Sequence, residues 1–401
     1  MRGRLYFVAA LALVVLPGRA QFFEPHGSFA IEVSLENTSL PRLAMHRSAI
    51  TSLEVVGDYV VGGTSADSGL SPYLFAASIR HRQLEMVFPL DEAVVGQRSI
   101  SSGFGRGPNG SLYAGTIPNS KGGSGHLLRV TVQENRLQVR DLGVPLSGEG
   151  IFAVTANPKT DMIYGIAWPS GRFFSFHVPD GKVLVYDETA PRADVLKLLS
   201  GYLLKPEDYL SRRLVVDAKQ RVYGSCPPGR LFRFDPDAAK VEMLGDELPS
   251  VAGRKALGRV DAWAVGSGGA IYGTNAADAQ LFTIDTATGK VTNLGKPAMT
   301  PRMKGIAFGR DGVLYGVNGA APGYSHVFTY QPERGFVDYG NPLSQMTAPG
   351  IEQGIPWRGF QIETMAVSAD GRYIVMGEAE ALSQLMLFEV RSDTLARTAS
   401  R

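Results

Sequence analysis

A short apolar strand closing on an aromatic-glycine pair recurs along the chain, as Leu112-Tyr113-Ala114-Gly115, Ile163-Tyr164-Gly165, Val222-Tyr223-Gly224, Ile271-Tyr272-Gly273 and Leu314-Tyr315-Gly316. Weaker copies at Val60-Val61-Gly62 and Val375-Met376-Gly377 make seven, spaced about 43 to 61 residues apart, a period of the propeller kind. A polar loop and another apolar strand follow each copy: Leu74–Ala77, Leu127–Val130, Phe173–Phe176, Leu231–Phe234, Leu281–Ile284, Val327–Tyr330 and Leu385–Phe388. Upstream lies a further strand, clearest as Gly305–Phe308 before the hairpin signal Asp311-Gly312. Downstream, the turn Asp285–Lys290 leads into a fourth strand at Val291–Gly295. Four antiparallel strands per repeat predict an all-β, seven-bladed β-propeller, in which radial repetition leaves few free sheet edges. The last repeat has only three strands before a polar tail. The alternating segment Ser28–Leu35 is expected to supply the missing outer strand and close the ring. Helical periodicity is confined to Pro191–Arg213, read as a short helix on an inserted loop.

Ahead of the repeats, two arginines within Met1–Arg4, an apolar run from Leu5 to Leu16 and Pro17-Gly18-Arg19-Ala20 have the layout of a secretory signal; an uncleaved anchor is the competing reading. The expected organisation is a signal peptide at 1–20, one propeller domain at 21–390 and a polar tail at 391–401, in a secreted or periplasmic protein. Composition is ordinary for a globular chain of 401 residues, 44% hydrophobic and 19% charged. A formal charge of +2 gives no basic excess to neutralise a nucleic-acid backbone or an anionic bilayer. The single cysteine, Cys226, excludes an intrachain disulfide, so burial must hold the fold; the thiol is expected to be a small buried hydrophobe. No phosphate-binding loop, zinc-protease motif or Cys-x-x-Cys occurs, and Gly103-Phe104-Gly105-Arg106-Gly107 has a turn context with no helix after it. No cofactor is predicted. A structural divalent cation on axial backbone carbonyls would leave no sequence signature, and a monomer is expected.

The loops expected at the channel mouth are the long ones, Asp141–Gly150, Asp187–Arg212, Gly245–Arg259 and Gly340–Gln361, and long loops on a rigid scaffold tend to carry function. Aligned repeats place Tyr73, His126, Arg172, Arg230, Gln280, His326 and Gln384 in one register at this rim, either as a site or as a solvated polar edge. A second register, at the starts of the inner strands, reads Arg212, Asp261, Lys304 and Glu363. Its alternating sign predicts a ring of ion pairs closing the channel, while a functional reading makes Arg212 and Lys304 anion contacts. His46 in the loop before the first repeat belongs to the same face, as do Trp168, a stacking surface for a sugar, and Trp357, read as pinning its loop. His26, His81 and His177 are read as structural.

The repeats Ile163-Tyr164-Gly165-Ile166-Ala167-Trp168-Pro169-Ser170-Gly171-Arg172-Phe173-Phe174 and Val222-Tyr223-Gly224-Ser225-Cys226-Pro227-Pro228-Gly229-Arg230-Leu231-Phe232 resemble those of secreted seven-bladed propeller polysaccharide lyases of the ulvan lyase and rhamnosyl-glucuronate lyase type. The resemblance implies β-elimination on an acidic, uronate-containing polysaccharide or oligosaccharide. Under it, His126 is the base and Arg172 and Arg230 neutralise the uronate carboxylate. The proton for the leaving oxygen comes from His326 or a loop tyrosine, Tyr202, Tyr209 or Tyr324. Arg172 and Arg230 also stand at the positions where the resemblance implies further histidines or arginines of that family. The alternative is a non-catalytic exported propeller binding glycan or protein through the same face. A quinone- or lactone-handling propeller enzyme is a third class, disfavoured by the lack of an acidic metal cluster.

Overall fold

The computed structural model describes residues 22–25, 27–33, 47–133, 136–251, 253–254, 258–300, 302–319, 325–348, 351–380 and 383–390. The signal and tail, His26, His46 and Tyr324 lie outside the described residues. Where the repeat is strongest, the chain folds as four-stranded antiparallel meanders. One runs through Gly150–Ala156, Met162–Trp168, Phe173–His177 and Lys182–Tyr186; the next through Val215–Val216, Val222–Cys226, Arg230–Asp235 and Lys240–Glu247; a third through Val260–Val265, Ile271–Asn275, Gln280–Ile284 and Val291–Gly295. N-terminal to these, Ala49–Val56 begins a meander ending at Gln83–Pro89, and Gln97–Ile100 links it to the strands Leu112–Pro118, Leu127–Gln133 and Arg136–Gly143. The C-terminal strands form a larger sheet in which Phe29–Glu32 pairs antiparallel with Gln384–Glu389 and parallel with Gly335–Ala348.

The aromatic-glycine repeat has a steric cause. Gly62, Gly165, Gly224, Gly273 and Gly316 face Phe75, Phe174, Phe232, Phe282 and Phe328 directly across the ladder. A Cβ at any of the five would collide with that phenyl ring, so each copy pairs a missing side chain with a large one. The tyrosine that precedes Gly165, Gly224 and Gly316 points to the opposite face of its strand, where Tyr164, Tyr223 and Tyr315 are buried. The hairpin aspartates fix some of these rings: Asp311 accepts from the Tyr315 hydroxyl at 2.8 Å and Asp217 from that of Tyr223 at 3.2 Å.

The core lies between neighbouring sheets. Phe173 packs against Phe232 and Phe234, with ring centroids 5.5 and 5.0 Å apart, and burying each such ring stabilises by about 1.5–3 kcal/mol. One cluster joins Ile50, Leu53 and Phe75 of the first meander to Val375, Leu385 and Leu387 of the last strands, with Phe29 and Ile31 between them. The inner strand Ala49–Val56 thus packs beside Ile362–Val367, and the sheets curl round until first and last are neighbours. Cys226 is buried, its thiol pushed up to about 11 by burial, in keeping with a packing role.

Two loops differ from the sequence expectation. Pro191–Arg213 holds two helices, α1 at Ala193–Gly201 and α2 at Pro206–Tyr209; Pro206 starts the second because its missing N–H is not needed there. The 340–361 loop is largely an extended hairpin, Gly335–Ala348 against Ile351–Arg358, whose ladder satisfies backbone groups that an irregular loop would leave to solvent.

Candidate functional site

The inner strands converge at one end of the channel on a cluster of charge. Arg212 Nη1 lies 2.7 Å from Glu363 Oε1 and Lys304 Nζ 2.5 Å from Glu363 Oε2. Arg302 reaches both carboxylates, 2.9 Å from Asp261 and 3.4 Å from Glu363, and Arg259 stands 3.1 Å from Asp261. The cluster borders a cavity of about 440 Å³ lined also by Arg98, Glu207 and Asp208, the last two carried by α2. Arg98 pairs with Glu207 at 3.0 Å and stacks over Trp168, 5.0 Å from its ring centre. Arg259 donates to the Glu207 carbonyl, tying the helical insert to the mouth.

Burial opposes ionisation of Asp261, but Arg302 and Arg259 outweigh it and hold that carboxyl well below its usual range. Glu363 is likewise desolvated and yet lowered to about 2 by Arg212, Lys304 and Arg302. On the cationic side, burial lowers Lys304 against the pull of Glu363, and lowers Arg259 to about 10. Asp261 and Glu363 overcome burial at Arg302 and raise it. Five cations, Arg98, Arg212, Arg259, Arg302 and Lys304, therefore face four carboxylates, Glu207, Asp208, Asp261 and Glu363, leaving one positive charge in a partly desolvated mouth. Arg302 also holds a left-handed φ of 63°, which disfavours a side chain by about 1–2 kcal/mol, so the structure keeps its guanidinium there against local preference.

Of the residues singled out from the sequence, the structure brings Arg212 and Lys304 together, with Trp168 at the edge beneath Arg98. The third-strand rim does not converge on the mouth. His126 is bound to Asp141 at 2.9 Å and His326 to Asp338 at 3.0 Å, each carboxylate on the outer strand of the histidine's own sheet. Neither histidine lines the cavity. Arg172 pairs with Glu149, and Arg230 donates to the Pro227 carbonyl at 3.4 Å. Trp357 donates to Glu378 at 2.9 Å and so fastens the 335–358 hairpin to the last sheet. His81 and His177 pair locally, with Glu85 and Asp180. Among the described residues, no three His, Cys, Asp or Glu are grouped to hold a metal, and no helix is long and apolar enough to cross a membrane.

Sequence reasoning missed Arg98, Arg259, Arg302 and Glu207. A signal for two of them existed: Arg259-x-Asp261 and Arg302-x-Lys304 share the spacing of two that puts residues of an extended chain on one face.

No protein-family model and no curated protein matches the sequence. Solved structures do match. A streptogramin B lyase aligns with a TM-score of 0.61 at 11% identity, covering 90% of this chain and 98% of that one. The β-propeller domain of Myceliophteria thermophila Cps50 (Swd1) aligns at 0.55 and 8% identity over 86% and 97%. The extracellular domain of BT4673 from B. thetaiotaomicron aligns at 0.55 and 12% identity over 92% of this chain and 39% of that chain. At such identities the likeness concerns fold alone, and with the curled meanders it makes this chain an all-β propeller.

Proposed function

We propose that the chain is an exported seven-bladed propeller, closed by Phe29–Glu32, that binds a carboxylate-bearing saccharide in its axial mouth. The observation that carries the reading is the concentration of cations there, Arg98, Arg212, Arg259, Arg302 and Lys304 against four carboxylates, around a cavity of about 440 Å³. Arginines in a partly dry site can bind a carboxylate bidentately, and the Trp168 ring at the edge offers an apolar face to a sugar. Export is supported by the signal-like first twenty residues and by the extracellular domain among the structural neighbours. Calorimetry with oligouronates against the neutral sugars of the same length tests the binding. Uptake of the acid alone, weakened tenfold or more in Arg302→Gln, is expected; equal affinity for acid and neutral sugar overturns the reading.

A β-eliminating lyase on a uronate polysaccharide is the second reading, favoured by the lyase among the structural neighbours. It needs a base close to the bound uronate, and His126, tied to Asp141, serves only a substrate that extends from the mouth across the rim. Ultraviolet absorbance from unsaturated uronate ends decides it: a rise lost in His126→Ala makes His126 the base, and no rise across a panel of acidic polysaccharides leaves binding alone.

A further inference from the structure

The opposite end of the channel holds a second chamber with a different chemistry, about 530 Å³, bordered by Trp263, Phe308, Met365 and Leu53 and floored by Arg213. Arg213 follows Arg212 directly, but its guanidinium belongs to this chamber, while Arg212 belongs to the mouth. It reaches across the axis: it lies against Gly103 on one side, where an added Cβ would come 2.9 Å from its Cδ, and donates to Thr364 Oγ1 on the other. Its backbone carbonyl is clamped by the Trp263 indole N–H and the Ser211 hydroxyl, both at 2.9 Å.

The other charges on these walls are occupied. Glu54 pairs with Arg106 at 2.5 Å, Arg310 donates to the Val390 carbonyl at 2.6 Å, and Asp370 accepts from Ser368 and the Arg372 N–H at 2.6 and 3.0 Å. Arg310 also has Glu389 at 3.8 Å. Among the described residues, no carboxylate lies within 4 Å of Arg213. Burial and the neighbouring Arg212 lower its pKa to about 10 against the more distant pull of Glu54, Asp261 and Glu363, so it remains a cation at neutral pH. Four of its five N–H donors are not used by Thr364.

A half-buried cation with no carboxylate within 4 Å, in a chamber where Trp263, Phe308, Met365 and Leu53 stand beside polar groups, selects for a ligand that is anionic at one end and apolar at the other. We propose that this chamber is a second binding site, for an aromatic monocarboxylate whose carboxylate sits on the Arg213 fork and whose ring lies against Trp263 and Phe308. The site does not depend on the function proposed for the mouth.

The probe is 2-naphthoate, titrated into the full chain by calorimetry and by quenching of tryptophan fluorescence, beside the neutral isostere 2-naphthalenemethanol. The expected result is one site for the acid, at least tenfold tighter than for the alcohol, with a quench that disappears in Trp263→Phe and persists in Trp168→Phe. Arg213→Gln should remove the preference for the acid. If that variant fails to fold, the acid-over-alcohol ratio in the wild type and the two tryptophan variants decide the matter alone. No binding of 2-naphthoate at millimolar concentration, equal affinity for acid and alcohol, or a quench that follows Trp168 instead of Trp263 overturns the proposal.

Discussion

Replacing Glu363 by Gln should weaken the fold and strengthen the mouth's grip on anions. Glu363 is contacted by Arg212, Lys304 and Arg302 at 2.7, 2.5 and 3.4 Å, and its side chain is 19% exposed. Taking one partner out of a buried ionic cluster costs about 3–5 kcal/mol, because the remaining charges stay desolvated without compensation. The pH dependence gives an independent magnitude. Burial opposes the ionised form, but the three cations bring the pKa from 4.5 in the unfolded chain to about 2. This contribution is present above pH 4.5 and is lost as the pH falls towards 2, by about 3 kcal/mol at 1.36 kcal/mol per unit. Urea unfolding followed by tryptophan fluorescence from pH 7 to pH 2.5 should show Glu363→Gln well below wild type at neutral pH, the gap closing in acid. Guanidinium chloride is the wrong denaturant, since its salt screens the cluster. For a ligand carboxylate about 7 Å away, deleting one negative charge at an effective dielectric near 20 strengthens attraction by roughly 1–2 kcal/mol after screening, or about tenfold in affinity. A neutral-pH loss under about 1 kcal/mol, or a gap that stays constant into acid, would refute a buried ionic cluster at this mouth.

Glu378 should behave in the opposite sense. Burial pushes its carboxyl from 4.5 up to about 8 against N–H donors from Phe360, Trp357 and Gln384, so its contribution is full below pH 4.5 and is lost as the pH rises through 8, with a ceiling of about 5 kcal/mol. Urea midpoints that stay level across that window, or decline equally in Glu378→Gln, would show that the three donors already stabilise the carboxylate. Gly316→Ala should lose about 1–3 kcal/mol by thermal unfolding, and Phe328→Leu in the same chain should recover part of it, because the new Cβ meets the Phe328 ring. Additive effects would count against that contact. Deleting residues 22–33 should lower the unfolding midpoint and broaden the transition, since it uncovers the edge of Gln384–Glu389; an unchanged midpoint and width mean that the N-terminal strand does not close the ring.

How much of this was legible in the sequence follows from which constraints are local. The Tyr-Gly and Leu-Phe pattern recurs because a ring on one strand needs an absent Cβ on its neighbour, and both halves of that requirement lie within about twenty residues, as with Gly165 and Phe174. The charge register Arg212, Asp261, Lys304 and Glu363 was legible for a related reason: inner strands start at equivalent points of the repeat. What alignment of repeats cannot supply is side-chain direction. His126 and His326 occupy one register, and each turns outward to a carboxylate on the fourth strand of its own sheet, at Asp141 and Asp338. Equivalent positions in a radially repeated fold are distributed around the ring, so a shared register places residues on different sheets. Convergence comes from innermost positions and from insertions such as α2, which brings Glu207 to Arg98 across 109 residues of sequence.

Adjacent residues here serve separate chambers. Arg212 and Arg213 precede the short inner strand Val215–Val216, and they divide between the two ends of the channel. Arg212 enters the mouth, where Glu363 compensates it; Arg213 lies across the axis between Gly103 and Thr364, where no carboxylate has been placed beside it. A purely structural plug would be better made from an apolar side chain of similar volume, because a half-buried guanidinium with one neutral partner is partly stripped of water without a compensating charge beside it. Keeping a cation there makes sense if something anionic completes its coordination from the chamber side. A glycine at position 103 fits that geometry, since any side chain on that wall would displace the guanidinium it lies against.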